Sequence, residues 1–432
     1  MMKERRLRVA WFSDLSGENS ISAYCSKLLI PILSQRHDVE LFSNSFESEW
    51  CDTPHQHYLK AYQRHRQKPF DVFFYQIEDG KRSRFVRSSI GIMPGVTWFH
   101  DLFFEDLGPE ATHTSPWEHS IQQFYDPSLP FSGRLTAPHQ LWPRAFRELS
   151  LSPLCLFSSQ WALTESKTMV SDRLESELGA HRAAFLGIPV APQTFPPLPR
   201  AETLRVASLC GVGHEGRPHK ALRALSSLKH PWTMSWLIDP SEQRAAERLL
   251  REFAVEGRVE LVVGRTPEQW SRLLATAHVA LHLRTSSFGH LGPYIQLSLL
   301  SGRLTALSDM AQGEDFAGEL VCKIAPGTTE ASQLLHLFER AASLDVSSMT
   351  KDAVESIKSH HSPDLIAQQL SQLLESASDN LRVSMAKWDT LYERARLTLF
   401  DEVRSIVNSG DTPGLSPYSR IIEPSLSALS GR

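Results

Sequence analysis

The chain has 432 residues, 45 Lys and Arg against 49 Asp and Glu, a formal charge of −4, and apolar and charged fractions of 41% and 22%. That length exceeds the roughly 250–300 residues at which a single core stops growing, so two or three domains are expected. The composition excludes wholesale disorder, a collagen-like repeat and a coiled-coil rod, and near-neutrality excludes a general nucleic-acid coat. Five cysteines (Cys25, Cys51, Cys155, Cys210, Cys322), with no C-x-x-C pair, argue against a disulfide framework or zinc ribbon and for a reducing cytosol. The charged start runs into a strand-like stretch and not a signal-peptide core. No run of about 18 apolar residues reads as a membrane span. The expected location is cytoplasmic, with peripheral contact on the inner face of the membrane left open.

In chain order, residues 7–12 (LRVAWF) read as a buried strand and 21–34 as a helix. Residues 39–42, 71–75 and 96–99 read as further strands, with a helix over 81–89 between the last two. This βαβα alternation predicts a parallel sheet covered by helices. A loop-rich stretch follows over 107–141, then a fifth strand at 154–158. Five prolines in residues 189–199 (PVAPQTFPPLP) forbid a regular element and mark a linker. The alternation restarts with strands at 204–210, 232–238, 259–263, 277–283 and 304–308 and a clear helix at 241–253. Residues 331–374 and 380–408 look helical, and the last twenty or so look irregular. The expected fold is α/β, with two facing Rossmann-like domains over residues 1–192 and 200–378. The segment 379–432 is expected to cross back onto the first domain. Ligands of open α/β sheets sit beyond the carboxyl ends of the strands, so the site is expected in the cleft between the two domains.

Three segments carry candidate chemistry. The first is Gly211-Val-Gly213-His214-Glu-Gly-Arg217-Pro-His-Lys220, between a strand and a helix. Such a turn brings backbone N–H groups to a phosphate, with Lys220 as a mobile cation and Arg217 as a guanidinium; an ordinary solvated basic turn fits the same residues. The second runs from Leu283-Arg284 through Gly289-His290 to Gly292-Pro293, where proline suits the first helical position. The helix start it predicts is a second anion cradle, or else a plain connection with Arg284 in a structural ion pair. The third is His100-Asp101 at a strand's carboxyl end, which suits a base, an orienter or a capped loop. No D-x-D, H-E-x-x-H or G-x-S-x-G occurs. Cys51, His55 and His57, and the His360-His361 pair, read as non-metal. Between residues 60 and 89 eight Lys/Arg face three acids, +5 locally, interleaved with Tyr62, Phe70, Phe73, Phe74 and Phe85. That stretch suits contact with anionic membrane or a plain solvated face.

Together these segments resemble the GT-B glycosyltransferases, in particular retaining family 4, over about residues 7–320. The resemblance rests on Asn19-Ser-Ile-Ser-Ala-Tyr-Cys25, His37-Asp-Val-Glu-Leu-Phe42, Tyr75-Gln-Ile-Glu-Asp79 and Pro94-Gly-Val-Thr-Trp-Phe-His100-Asp101 in the first half. In the second half it rests on Gly213 and Lys220, Leu283-Arg284 with Gly289, and Ser308-Asp309. The resemblance implies that His100 faces the cleft and contacts the donor sugar or the acceptor, with Asp101 beside it. It implies that Lys220 binds the donor diphosphate together with His214, which stands where the family has Arg; Arg217 is the alternative partner of Lys220 there. Arg284, Gly289, Gly292 and Asp309 complete the implied donor site. The family's E-x7-E acids are replaced here by His290 and Ser298, so His290 takes the place of a sugar-binding glutamate.

The implied activity is metal-independent, retaining transfer from a nucleotide sugar to a glycan, lipid-linked or other acceptor, as in polysaccharide biosynthesis. The donor is a substrate, and no cofactor is expected. Nucleic acid is not an expected partner. The missing acids support an alternative, a catalytically degenerate GT-B protein serving as a scaffold or partner subunit. A Rossmann oxidoreductase is disfavoured, because no G-x-G-x-x-G follows the first strand.

Overall fold

The computed structural model describes residues 6–15, 20–45, 53–102, 145, 148–149, 152–170, 182–197, 202–213, 216–264, 266–284, 292–343 and 347–378. By its contacts the chain divides into two compact units. One comprises Met1–Ser158, Ala162–Leu186 and Ala367–Arg432; the other comprises Ser159–Trp161 and Gly187–Ile366. The sequence-based limits are 192 and 379; the division by contacts falls at 186 and 367. The loop-rich stretch 107–141 and the helical pattern 380–408 lie outside the described residues.

Among the described residues the first unit holds seven parallel strands, numbered in chain order: β1 (Arg8–Phe12), β2 (Asp38–Ser43), β3 (His55–His57), β4 (Val72–Ile77), β5 (Val96–Phe99), β6 (Leu154–Phe157) and β7 (Arg182–Phe185). Their spatial order is β3-β2-β1-β4-β5-β6-β7. Every residue of β1, β4, β5 and β6 is buried, as a parallel sheet covered on both faces requires. Aromatic pairs knit neighbouring strands, Trp11 with Phe74 at 4.2 Å and Phe12 with Tyr75 at 4.8 Å between ring centroids. The helix Ile21–Leu33 starts where the Ser20 side chain accepts from the Ala23 amide, satisfying one of the orphan donors of a first turn. The helix over residues 363–378 runs into this unit. There the buried His37 ring bonds Ser371 Oγ at 2.6 Å.

Among the described residues the second unit holds six parallel strands: β8 (Leu204–Ser208), β9 (Trp232–Ile238), β10 (Val259–Val263), β11 (Val279–His282), β12 (Leu304–Ser308) and β13 (Cys322–Ile324). Their order is β10-β9-β8-β11-β12-β13. The helix Pro267–Leu274 opens with a reciprocal capping box between Thr266 and Gln269, and Pro267 occupies its first turn. The helix expected to begin with Pro293 is Tyr294–Leu300, with Pro293 one residue earlier as its cap. Both sheets are thus Rossmann-like α/β layers, as expected. The strands the sequence does not announce are β3, β7 and β13, three or four residues long and at sheet edges. Short, mixed-polarity edges are how sheets limit unwanted pairing.

The basic stretch 60–89 looks different in the fold. Its interleaved aromatics Tyr62, Phe70, Phe73, Phe74 and Phe85 are all buried, so they belong to the core and form no exposed aromatic face. Arg64 pairs with Glu40, Lys68 lies 3.8 Å from Asp38, and Arg87 is 2.7 Å from the buried Glu148. These acids lie outside the stretch and reduce its local charge. Among the described residues no helix is long and apolar enough to cross a membrane.

Arg303 is a buried cation held by carbonyls. Its guanidinium donates to Leu274 O at 2.7 Å, Ala275 O at 3.3 Å and Pro196 O at 2.9 Å, tying the proline-rich linker to the second unit. Arg303→Ala leaves these carbonyls without their donor and should lower stability by roughly 2–4 kcal/mol. The check is the denaturant midpoint of the full chain, expected to fall clearly below that of the wild type.

Candidate functional site

In the first unit, polar residues collect at and just past the carboxyl ends of β1, β4, β5 and β6. Gln76 Nε2 donates to Ser22 O at 3.1 Å and to Ser26 Oγ at 2.7 Å. A carbonyl only accepts, so this bond fixes the amide's orientation and turns Gln76 Oε1 toward His100 Nε2, 2.9 Å away. His100 therefore carries its proton on Nε2, and Nδ1 bonds Ser158 Oγ at 2.8 Å. The ring is 2% exposed and lies 4.6 Å from the Trp98 ring. His100 is thus a buried junction with both nitrogens engaged. Asp101 is buried as well, and its Oδ2 accepts from the Asp79 amide at 2.6 Å.

Beside them stands Glu78, which the sequence motifs do not single out. Its carboxylate accepts from Ser20 Oγ and, at 3.0 Å, from the Ile21 amide at the start of a helix. Loss of surrounding water pushes its pKa up to about 7. The nearby Asp14 and Asp101 charges add to this, and the Ser20 and Ile21 donors oppose it.

In the second unit, Ser308 at the end of β12 is the meeting point. Its Oγ accepts from Arg217 Nη2 at 2.6 Å and from the Arg284 amide at 2.9 Å. Arg217 adopts a left-handed backbone (φ 45°) immediately before the helix Pro218–Ser227. Its Nε donates to Glu330 Oε1 at 2.9 Å. Lys220 lies in the first turn of that helix, half-exposed, with Nζ donating to Gly327 O at 3.3 Å. Asp309 sends its amide to Ile324 O and lies 3.4 Å from Lys323 Nζ. Gly292 has φ 59°. Arg217, Lys220, Arg284 and Asp309 therefore converge on the ends of β11, β12 and β13, whereas His100 and Asp101 belong to the first unit. His214, Gly289 and His290 lie outside the described residues.

Two details revise the expected roles. Ser298 is fully buried. Its hydroxyl donates to Tyr294 O at 2.8 Å and accepts from Trp270 Nε1 at 3.0 Å and His282 Nε2 at 2.9 Å. It serves the core, and burial pushes the His282 pKa down to about 3. In the glycine turn, Gly213 has open space where a Cβ would sit, whereas a Cβ on Gly216 would lie 1.8 Å from Gly211 O. Gly216 is the sterically required glycine. Among the described residues no group of three His, Cys, Asp or Glu is placed to hold a metal.

Solved structures share this fold. HepE from Anabaena, in complex with UDP-glucose, superposes with a TM-score of 0.61 at 13% identity, covering 86% of this chain and 100% of that one. Sucrose-phosphate synthase from Thermosynechococcus elongatus gives 0.59 at 14% identity, covering 86% and 99%. The lipopolysaccharide outer core galactosyltransferase WaaB gives 0.55 at 13% identity, covering 86% and 99%. No family model matches the sequence, and no curated protein matches it. The fold is that of the GT-B glycosyltransferases.

Two outcomes test this geometry. Folded Glu78 keeps its proton up to about pH 7, whereas an unfolded glutamate releases it near the ordinary 4.5. Its contribution to stability is full below the lower value and is lost as pH rises through the upper one. Glu78→Gln should flatten the fall in melting temperature between pH 5 and 7.5; an unchanged slope would remove Glu78 as its source. Gly216→Ala should cost about 2 kcal/mol or more, and Gly213→Ala under 1 kcal/mol, by denaturant melts.

Proposed function

We propose that the protein transfers a glycosyl group from a nucleotide-sugar donor to a glycan, lipid-linked or other acceptor. The observation that carries this reading is the convergence in the second unit. Lys220, the tight turn closed at Gly216 and the N-terminus of Pro218–Ser227 gather at the carboxyl edge of a Rossmann-like sheet. That edge is where open α/β sheets bind ligands, and a helix N-terminus with a lysine suits a diphosphate. Complexes of HepE with UDP and with UDP-glucose support the same donor chemistry.

In this reading Lys220 and the helix N-terminus stabilise the departing diphosphate without a metal. His214 and the backbone from Gly289 to Gly292 complete the cradle, and His290 meets the sugar in place of an acid. Retention at the anomeric carbon is proposed from the family 4 resemblance. The acceptor falls to the first unit, with His100 and Asp101 ordering the sheet edge beside it. Peripheral contact of a cytoplasmic protein with an anionic membrane is assigned to the basic residues of the 60–89 stretch.

A scaffold without activity is the second reading, favoured by the commitment of Ser298 to the core. A thermal-shift series with UDP, GDP, ADP and their sugar conjugates separates the two. A ligand at 100 times its Kd adds about 2.7 kcal/mol, so one base should raise the melting temperature by several degrees. Lys220→Ala should abolish that rise. No response to any nucleotide would favour the scaffold.

A further inference from the structure

The expected donor site lacks the acids that would hold sugar hydroxyls, since His290 and Ser298 stand at those positions and Ser298 is turned into the core. The fold brings another carboxylate to the same sheet edge. Glu330 is the first residue of the helix Glu330–Ser343, 113 positions beyond Arg217 in sequence. It is fully buried, and Arg217 is 6% exposed.

The pair is not internally satisfied. Arg217 spends Nε on Glu330 Oε1 and Nη2 on Ser308 Oγ. Among the described residues, its Nη1 and the second glutamate oxygen, Oε2, have no hydrogen-bond partner. Leaving a buried charged donor and a buried charged acceptor both unmet is costly, and each such group calls for an explanation. The pair also holds strain, since Arg217 keeps a left-handed backbone (φ 45°) that a non-glycine residue adopts at a cost. A structural ion pair alone needs neither feature.

We infer that Arg217 and Glu330 form a hydroxyl-recognition pair, in which Glu330 Oε2 accepts from, and Arg217 Nη1 donates to, sugar hydroxyls of a bound nucleotide sugar. A hydroxyl both donates and accepts, so vicinal hydroxyls match one unmet acceptor and one unmet donor together. The inference rests on the nucleotide-sugar reading of the site. It moves Arg217 from the diphosphate to the sugar and leaves the diphosphate to Lys220. The hydroxyls belong either to the ribose or to the transferred sugar, and the two sources are separable.

The test is calorimetric titration of the full chain with UDP, GDP and ADP, continued on the base that binds with its 2′,3′-dideoxy form and its glucose conjugate. Three proteins are compared: wild type, Glu330→Gln, and the double variant Arg217→Met with Glu330→Met. The double variant replaces the ion pair by apolar chains of similar length, an exchange that folded proteins often tolerate. Circular dichroism reports whether each variant folds. If the ribose is read, wild type should bind the dideoxy form about tenfold more weakly, and a folded variant should lose that penalty. If the transferred sugar is read, the penalty is absent and the gain from glucose should vanish in the variant. A wild type indifferent to both ligand changes overturns the inference without recourse to any variant. Discrimination that survives unchanged in a folded variant overturns it as well. No binding of any of the three nucleotides by wild type overturns the nucleotide-sugar reading too.

Discussion

Parallel pairing in both sheets is the constraint on which the rest depends. Every paired strand in either unit runs the same way as its neighbour, so all carboxyl ends of a sheet lie along one edge. The chain must leave the sheet there each time, and the backbone groups exposed by that exit need partners. Side chains just past the strands supply them. Ser308 receives the Arg284 amide, and Asp101 receives the Asp79 amide. Chemistry gathers at these edges because the polar groups that finish the sheets are already there.

The two edges are built differently. In the first unit a chain of neutral hydrogen bonds runs from Ser26 through Gln76 and His100 to Ser158, with Glu78 held nearby on a helix start. In the second unit a buried guanidinium and carboxylate bind the start of one helix, the end of β12 and the start of another. Charge at the second edge suits an anionic donor, and a neutral network suits positioning. At that second edge Lys220 keeps partial exposure whereas Arg217 is buried, which is why the diphosphate is assigned to Lys220 and not to Arg217.

Much of this architecture is legible in the sequence, because continuous apolar runs such as VFFYQI and LCLF have one stable use, as strands covered on both faces. The prolines near residue 195 announce the restart of the alternation. The edge strands β3, β7 and β13 are not legible, since three or four residues of mixed polarity carry no period. Site residues divide in the same way. Lys220 and Ser308 sit in local motifs that single them out as candidates. The Arg217–Glu330 pair joins residues 113 positions apart, and no local spacing reports such a contact. Gly216 is hidden for a different reason. A glycine required by a 1.8 Å approach looks in sequence like any other glycine of its turn. The basic stretch 60–89 misleads because its partners, Glu40, Asp38 and Glu148, come from outside it.

The central claim is that a nucleotide sugar binds along the carboxyl edge of the second sheet. Hydrogen–deuterium exchange of the full chain, with and without the nucleotide that raises its melting temperature, addresses that claim residue by residue. The account predicts slowed exchange in the segments 216–222, 308–313 and 327–333. Slowed exchange confined to other segments, with these three unchanged, would contradict it.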